Sequence, residues 1–164
     1  MKIKGRVWKY GDEIDTDVIY PGKYLVSFDP SAAAQHAMEG IESDFHKKIS
    51  KGDVLVVGRN FGTGSAREQA AVALKSAGIG AIVSESFNRT FYRNAINVGL
   101  PVVEVKGIQG KIDEKDEIEV DLDKGIIKNL TKGKEYTFPP QPPFIMEILK
   151  MGGAVPYYKK KIGR

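Results

Sequence analysis

Val54-Leu55-Val56-Val57-Gly58-Arg59-Asn60-Phe61-Gly62-Thr63-Gly64-Ser65-Ala66-Arg67-Glu68-Gln69 is the stretch that decides the fold. Its first four residues are a short apolar run of the kind that makes a buried strand. A glycine-rich turn follows, and the alanine-rich segment over 66–77 predicts a helix stopped by Gly78. A turn of this kind before a helix start offers unpaired backbone N–H groups to an anion. The pattern repeats downstream, with an apolar strand over 81–83, a helix over 91–98 ended by Gly99, and a strand over 101–105. Strand, helix, strand, helix, strand in so short a span predicts a small parallel sheet.

Upstream, residues 4–10 read as a strand, followed by the acidic turn Gly11-Asp12-Glu13-Ile14-Asp15-Thr16-Asp17. Short helices are expected over 32–38 and 44–49. From Asp116 onward, alternation at 117–120 and 136–138 around Ile126-Ile127 indicates antiparallel β-structure. Pro139-Pro140-Gln141-Pro142-Pro143 then breaks the chain before a last helix over 144–151, capped by Gly152-Gly153. Lys159-Lys160-Lys161, with Arg164, reads as a solvated tail.

The 164 residues amount to one domain, 1–164, and the 41% apolar and 28% charged fractions are those of a soluble globular protein. Lys plus Arg number 25 against 21 for Asp plus Glu, a balance that suits small anions and argues weakly for nucleic acid. No run reaches the roughly 20 apolar residues of a membrane helix, and no signal peptide is visible, so the cytoplasm is the expected location. There is no cysteine, which excludes disulfides and any iron–sulfur cluster ligated by thiolates of this chain.

Ser65-Ala66-Arg67-Glu68 admits two readings. It is a capping box, and it also places a serine and an arginine where both face a bound anion. A Walker A loop needs Gly-Lys-Ser/Thr, a dinucleotide fingerprint needs glycine where Arg67 stands, and a serine-hydrolase elbow needs the same glycine. His36 and His46 are the only histidines available to a hydrolase, and both read as surface residues. Asp12, Glu13, Asp15 and Asp17 lack the spacing of a calcium loop and read as a solvated turn, one of whose carboxylates orients a substrate hydroxyl or an arginine. Arg89 and Asn94, beyond the second strand, either line the same crevice as Ser65 or serve capping and solvation.

Three segments together carry a family resemblance: 11–25 (GDEIDTDVIYPGKYL), 58–69 (GRNFGTGSAREQ) and 86–101 (SFNRTFYRNAINVGLP). In this order they resemble the small subunits of 3-isopropylmalate dehydratases, equivalent to the swivelling domain of aconitase. The resemblance spans nearly the whole chain, in a short archaeal or thermophile-like form. It implies an α/β swivelling domain, with a small parallel sheet, flanking helices and a β-barrel-like C-terminal part. It also implies a hydro-lyase of two chains, whose large subunit carries a [4Fe–4S] cluster and whose substrate is a small dicarboxylate. This chain then binds no cofactor or metal, nucleic acid or membrane, and self-associates if isolated.

By position, Ser65 matches the family's catalytic serine, the base at carbon, stabilised by helix-start N–H groups. Arg67 matches its carboxylate-binding arginine, with Asp17 and Gly64 also in the substrate site. Thr63, Ala66 and Gln69 stand where the family usually has cysteine, serine and histidine. Tyr24, Leu25, Val26 and Ser27 match the specificity segment, where family members acting on tricarboxylates carry an arginine near Val26. An apolar residue there favours isopropylmalate, with citramalate, dimethylmalate and homoaconitate as alternatives. A non-catalytic anion-binding module of the same fold is the reading from a different class.

Overall fold

The computed structural model describes residues 1–26 and 28–163. One seven-stranded sheet organises it, in the order β4-β3-β2-β1-β5-β6-β7. Its strands are β1 (Lys2–Lys9), β2 (Val54–Val57), β3 (Ala81–Ser84), β4 (Val102–Glu104), β5 (Glu117–Asp121), β6 (Ile126–Asn129) and β7 (Lys134–Thr137). The helices are α1 (Thr16–Ile19), α2 (Pro30–Ala33), α3 (Phe45–Lys48), α4 (Glu68–Ala77), α5 (Arg89–Asn97), α6 (Pro143–Lys150) and α7 (Ala154–Lys161).

β1 to β4 are parallel, and β5 to β7 are antiparallel, so the two kinds of β-structure foreshadowed by the sequence belong to one sheet. β1 joins them. Its last residues pair with β2 through Val7↔Val54, while its first pair with β5 through Lys2↔Asp121 and Ile3↔Val120. β2 and β3 are buried on both faces, which is why they carry no polar alternation. Leu55, Val57 and Ile82 pack with Ala70, Leu74, Phe91 and Ile96 of α4 and α5. Val54, Val56 and Val83 meet a second core of Ile118, Val120 and Ile127 from the antiparallel strands, with Met146 and Leu149 of α6.

Gly5 sits where β1 passes from one partner to the other. A Cβ there would lie 2.2 Å from Gly52 O and 2.7 Å from Asp53 Cα, both backbone atoms that cannot swing aside. The buried Asp53 carboxylate fastens this crossing, accepting from Arg6 N at 3.2 Å, Trp8 Nε1 at 2.9 Å and Ser50 N at 2.9 Å. Gly5→Ala is expected to destabilise the fold by about 3 kcal/mol, the upper end for overpacking. A urea unfolding midpoint close to that of the unsubstituted chain would refute this.

Two expectations change. The helix after the glycine loop starts at Glu68, with extended Arg67 (φ −119°, ψ 106°) as its N-cap and no side-chain cap bond. The capping box is therefore not formed. Secondly, the C-terminal lysines lie on α7, in a helix not foreseen from the sequence. Pro156 is tolerated in its first turn, Tyr157 is buried, and Lys159, Lys160 and Lys161 are exposed at the helix end where the dipole favours cations. Arg164 lies outside the described residues.

Candidate functional site

The glycine loop leaves the C-terminal end of β2 and is clasped at each step by the acidic turn. Asp12 accepts from Arg59 N at 2.7 Å and Arg59 Nη2 at 3.1 Å. Glu13 Oε2 accepts from Asn60 Nδ2 at 2.9 Å. Gly62 donates to Ile14 O at 2.8 Å, with the Phe91 ring occupying the place a Cβ would need, 2.3 Å away. Asp15 caps α1 through Val18 N, and Thr16 N donates to Thr63 O at 2.8 Å. The acidic turn is thus a set of caps and clasps rather than a freely solvated loop. Among the described residues no group of three or more His, Asp or Glu is placed to hold a metal ion.

Ser65 is exposed and is fixed through its main chain: Thr16 Oγ1 donates to Ser65 O at 2.8 Å. Gly64, at φ +92°, turns the chain outward just before it. Ser65 Oγ makes no hydrogen bond among the described residues, and it stands two residues ahead of the N-cap of α4. It does not receive the helix-start N–H groups as a capping serine would.

Arg67 is directed back across α1. Its Nη1 donates to Asp17 Oδ1 at 2.8 Å and to Tyr20 O at 3.2 Å. Asp17 Oδ1 also accepts from Gly22 N at 2.8 Å. The guanidinium bond, followed by the Gly22 amide, holds the Asp17 carboxyl below the usual carboxylate range, so Asp17 is charged at neutral pH. The Arg67 side chain is 19% exposed and that of Asp17 67%. Both bonds leave from Nη1, and among the described residues Nε and Nη2 make none. A Cβ on Gly22 would stand 3.1 Å from Nη2, so glycine at this position leaves that nitrogen room.

Tyr24 and Leu25 are partly buried just beyond this contact, Leu25 N donating to Gly22 O at 3.1 Å. Val26 is 93% exposed. Ser27 lies outside the described residues. The structure therefore brings Ser65, Arg67, Asp17, Gly64 and the 24–26 segment together around α1. Arg89 is not with them: it is paired with Glu104 of β4 and with Phe87 O, and its guanidinium lies over Tyr92. His36 and His46 are half-buried rather than on the surface, and neither hydrogen-bonds Ser65 among the described residues. Thr16, Tyr20 and Gly22 hold the site without any local signal in the sequence. A cleft of about 490 Å³ between α6 and α7 is lined by Glu147, Lys150, Met151, Tyr157, Lys160 and Lys161, sharing no residue with the Ser65 site. Ser65 is exposed to solvent, whereas the Arg67 guanidinium is largely covered by α1 and its following turn.

Residues 12–108 match the family described as the aconitase C-terminal domain. The isopropylmalate/citramalate isomerase small subunit of Methanocaldococcus jannaschii is 55% identical over 160 residues, covering 98% of this chain and 95% of the relative. The 3-isopropylmalate dehydratase small subunit of Pyrobaculum calidifontis is 56% identical, covering 98% of this chain and 99% of the relative. Among solved structures, a 3-isopropylmalate dehydratase crystal structure from Methanocaldococcus jannaschii superposes with a TM-score of 0.93 at 48% identity, covering 99% of this chain and 96% of that one.

Proposed function

The chain belongs to the family of 3-isopropylmalate dehydratase small subunits, and from that premise we propose that it is one half of a hydro-lyase interconverting 2- and 3-isopropylmalate. The observation that supports this reading is an exposed Ser65, whose hydroxyl makes no hydrogen bond among the described residues, two positions from an Arg67 fork held at one nitrogen by Asp17. An exposed half-site of this kind needs a second surface to exclude water before acid–base chemistry at carbon proceeds.

The steps belonging to this chain are few. Arg67 binds a substrate carboxylate through its free edge, with Asp17 fixing the plane of the fork. Ser65 acts in its deprotonated form: it takes the proton from one carbon as hydroxide leaves the adjacent carbon. On rehydration it gives that proton to the carbon that lost hydroxide, while hydroxide adds to the carbon that lost the proton. Gly64 brings the main chain close to the substrate without a side chain. Donors that stabilise the charged form of Ser65 arrive with substrate and partner. In this reading the [4Fe–4S] cluster is carried by the large subunit, in keeping with a sequence without cysteine and, among the described residues, no group of three or more His, Asp or Glu placed to hold a metal ion. Bound there, such a cluster would supply Lewis-acid chemistry toward the leaving hydroxyl.

The substrate side chain meets Leu25 and Val26. An exposed valine suits an isopropyl group and leaves a distal carboxylate unpaired. Citramalate is the second reading, favoured by the same apolar tip, which also accepts a methyl group, and by the name of the Methanocaldococcus relative. The test is the chain reconstituted with its large subunit and offered isopropylmalate, citramalate, dimethylmalate and homoaconitate, following absorbance of the unsaturated intermediate. The chain alone is expected to be inactive. Val26→Arg is expected to lower kcat/KM for isopropylmalate about 100-fold, the scale for a misplaced polar group in an apolar pocket. An unchanged preference would place the specificity contact elsewhere.

A further inference from the structure

The segment carrying Leu25 and Val26 is braced by a cluster that the chemistry of Ser65 and Arg67 does not use. The Tyr24 ring stacks face to face on His36, with centroids 3.6 Å apart and 10° between planes. The Tyr24 hydroxyl donates to Glu39 Oε1 at 2.5 Å, and Glu39 Oε2 lies 2.6 Å from His36 Nδ1. One carboxylate therefore ties the ring to its stacking partner. Lys23 Nζ lies over the same ring, 5.2 Å from its centroid. From the core side, Tyr20 OH donates to Tyr24 O at 3.2 Å.

Glu39 is itself anchored. It follows Met38, whose φ is +58° and whose N–H donates to Ile19 O at 2.7 Å. It precedes Gly40, which donates to Val18 O at 3.0 Å and has no room for a side chain, a Cβ lying 2.6 Å from Val18 Cα. The brace is thus fastened to α1, the helix that carries Asp17 and through Thr16 holds the Ser65 carbonyl. Partial burial raises the Glu39 carboxyl, but the hydrogen bonds from Tyr24 and His36 outweigh it and hold the group below its usual value. The bond to Glu39, then burial, pushes the Tyr24 phenol up. At neutral pH the pair is a carboxylate and a neutral hydroxyl, the states this bond requires.

Val26, by contrast, has almost no packing on this chain. A valine so exposed discriminates between a methyl and an isopropyl substituent only if the backbone beneath it is held to a fraction of a methyl diameter. We infer that the Tyr24–His36–Glu39 clamp fixes the position of the Leu25–Val26 tip and so sets which 3-substituent of a malate the site accepts, with His36 and Glu39 as positioning residues. The inference rests on the reading that residues 24–27 line the substrate side chain.

The test has two arms. In the first, amide hydrogen exchange is measured on the full chain without its partner. Glu39→Ala is expected to speed exchange across 24–28 about tenfold, while Glu39→Gln, whose amide oxygen still accepts from Tyr24, recovers most of the protection. In the second, the pair reconstituted with Glu39→Ala is expected to lose about tenfold in its preference for isopropylmalate over citramalate, through KM rather than kcat. His36→Phe keeps the stack and loses the bond, and is expected to fall between. Unchanged protection in Glu39→Ala, or an unchanged substrate ratio, would overturn the clamp. If Glu39→Ala does not fold, Tyr24→Phe removes only the hydroxyl and is judged by the same two readouts. An unsubstituted pair that turned over neither malate would instead refute the proposed function, and the exchange arm would still decide the clamp.

Discussion

Ser65→Ala is expected to lower kcat of the reconstituted enzyme roughly 10³-fold, within the range for losing a positioned general base, with KM changed by less than about threefold. The hydroxyl is exposed and makes no bond to the described part of the chain, so its removal leaves no buried polar group unpaired. The carbonyl of residue 65 goes on accepting from Thr16, so the loop keeps its course. The thermal midpoint should therefore stay within about 2 °C, since surface changes of this kind move stability by at most a few tenths of a kcal/mol. Turnover near that of the unsubstituted enzyme would remove Ser65 from the chemistry and leave Arg67 as an anion site without a base. That outcome would place the base on another residue of the assembled enzyme.

Arg67→Lys separates charge from shape. Lysine keeps the positive charge beside Asp17 but loses the planar fork, and with it at least one charge-assisted bond to a substrate carboxylate. Such a bond contributes about 1.5–3 kcal/mol, so KM is expected to rise up to roughly 100-fold. The drop in kcat should be smaller. Fold stability changes little, because Asp17 is largely exposed and returns to water when its partner is weakened. Steady-state kinetics over a wide range of isopropylmalate concentration decides it. A KM unchanged in Arg67→Lys would mean that the carboxylate is gripped elsewhere.

Much of the parallel half was legible because its signals are local. Val54–Val57 is apolar on both faces since both faces are covered; α5, expected from 91, opens at Arg89, with Asn88 as its N-cap accepting from Thr90 N and Phe91 N. The start of α4 was misread for a physical reason. The capping-box letters are present at 65–68, but Thr16 and the Asp15↔Thr63 bridge, distant in sequence, fix the chain at 63–65, and the helix starts only after the extended Arg67. The same distance hid the work of the acidic turn: Asp12, Glu13 and Asp17 look solvated until Arg59, Asn60 and Arg67 fold onto them. Arg89, for which the sequence left two readings open, is taken away from the crevice by Glu104 on the adjoining strand. Ser65, Arg67 and the 24–26 segment were legible as a group through family resemblance. His36 and Glu39 were not, because their purpose appears only once Tyr24 is seen lying on them.

The double pairing of β1 carries a consequence for biosynthesis. β1 leaves the ribosome well before β5, so its antiparallel neighbour is not available until Asp121 has followed. Throughout that interval one side of β1 is an open edge flanked by Ile3 and Val7, of the sort that recruits strands from other nascent chains. Lys2, Lys4, Arg6 and Lys9 punctuate it with like charges that repel a second copy of the same strand. Charges that in the finished molecule pair across the sheet, Lys4 with Glu117 and Arg6 with Asp53, thus have an earlier use while the chain is still being made.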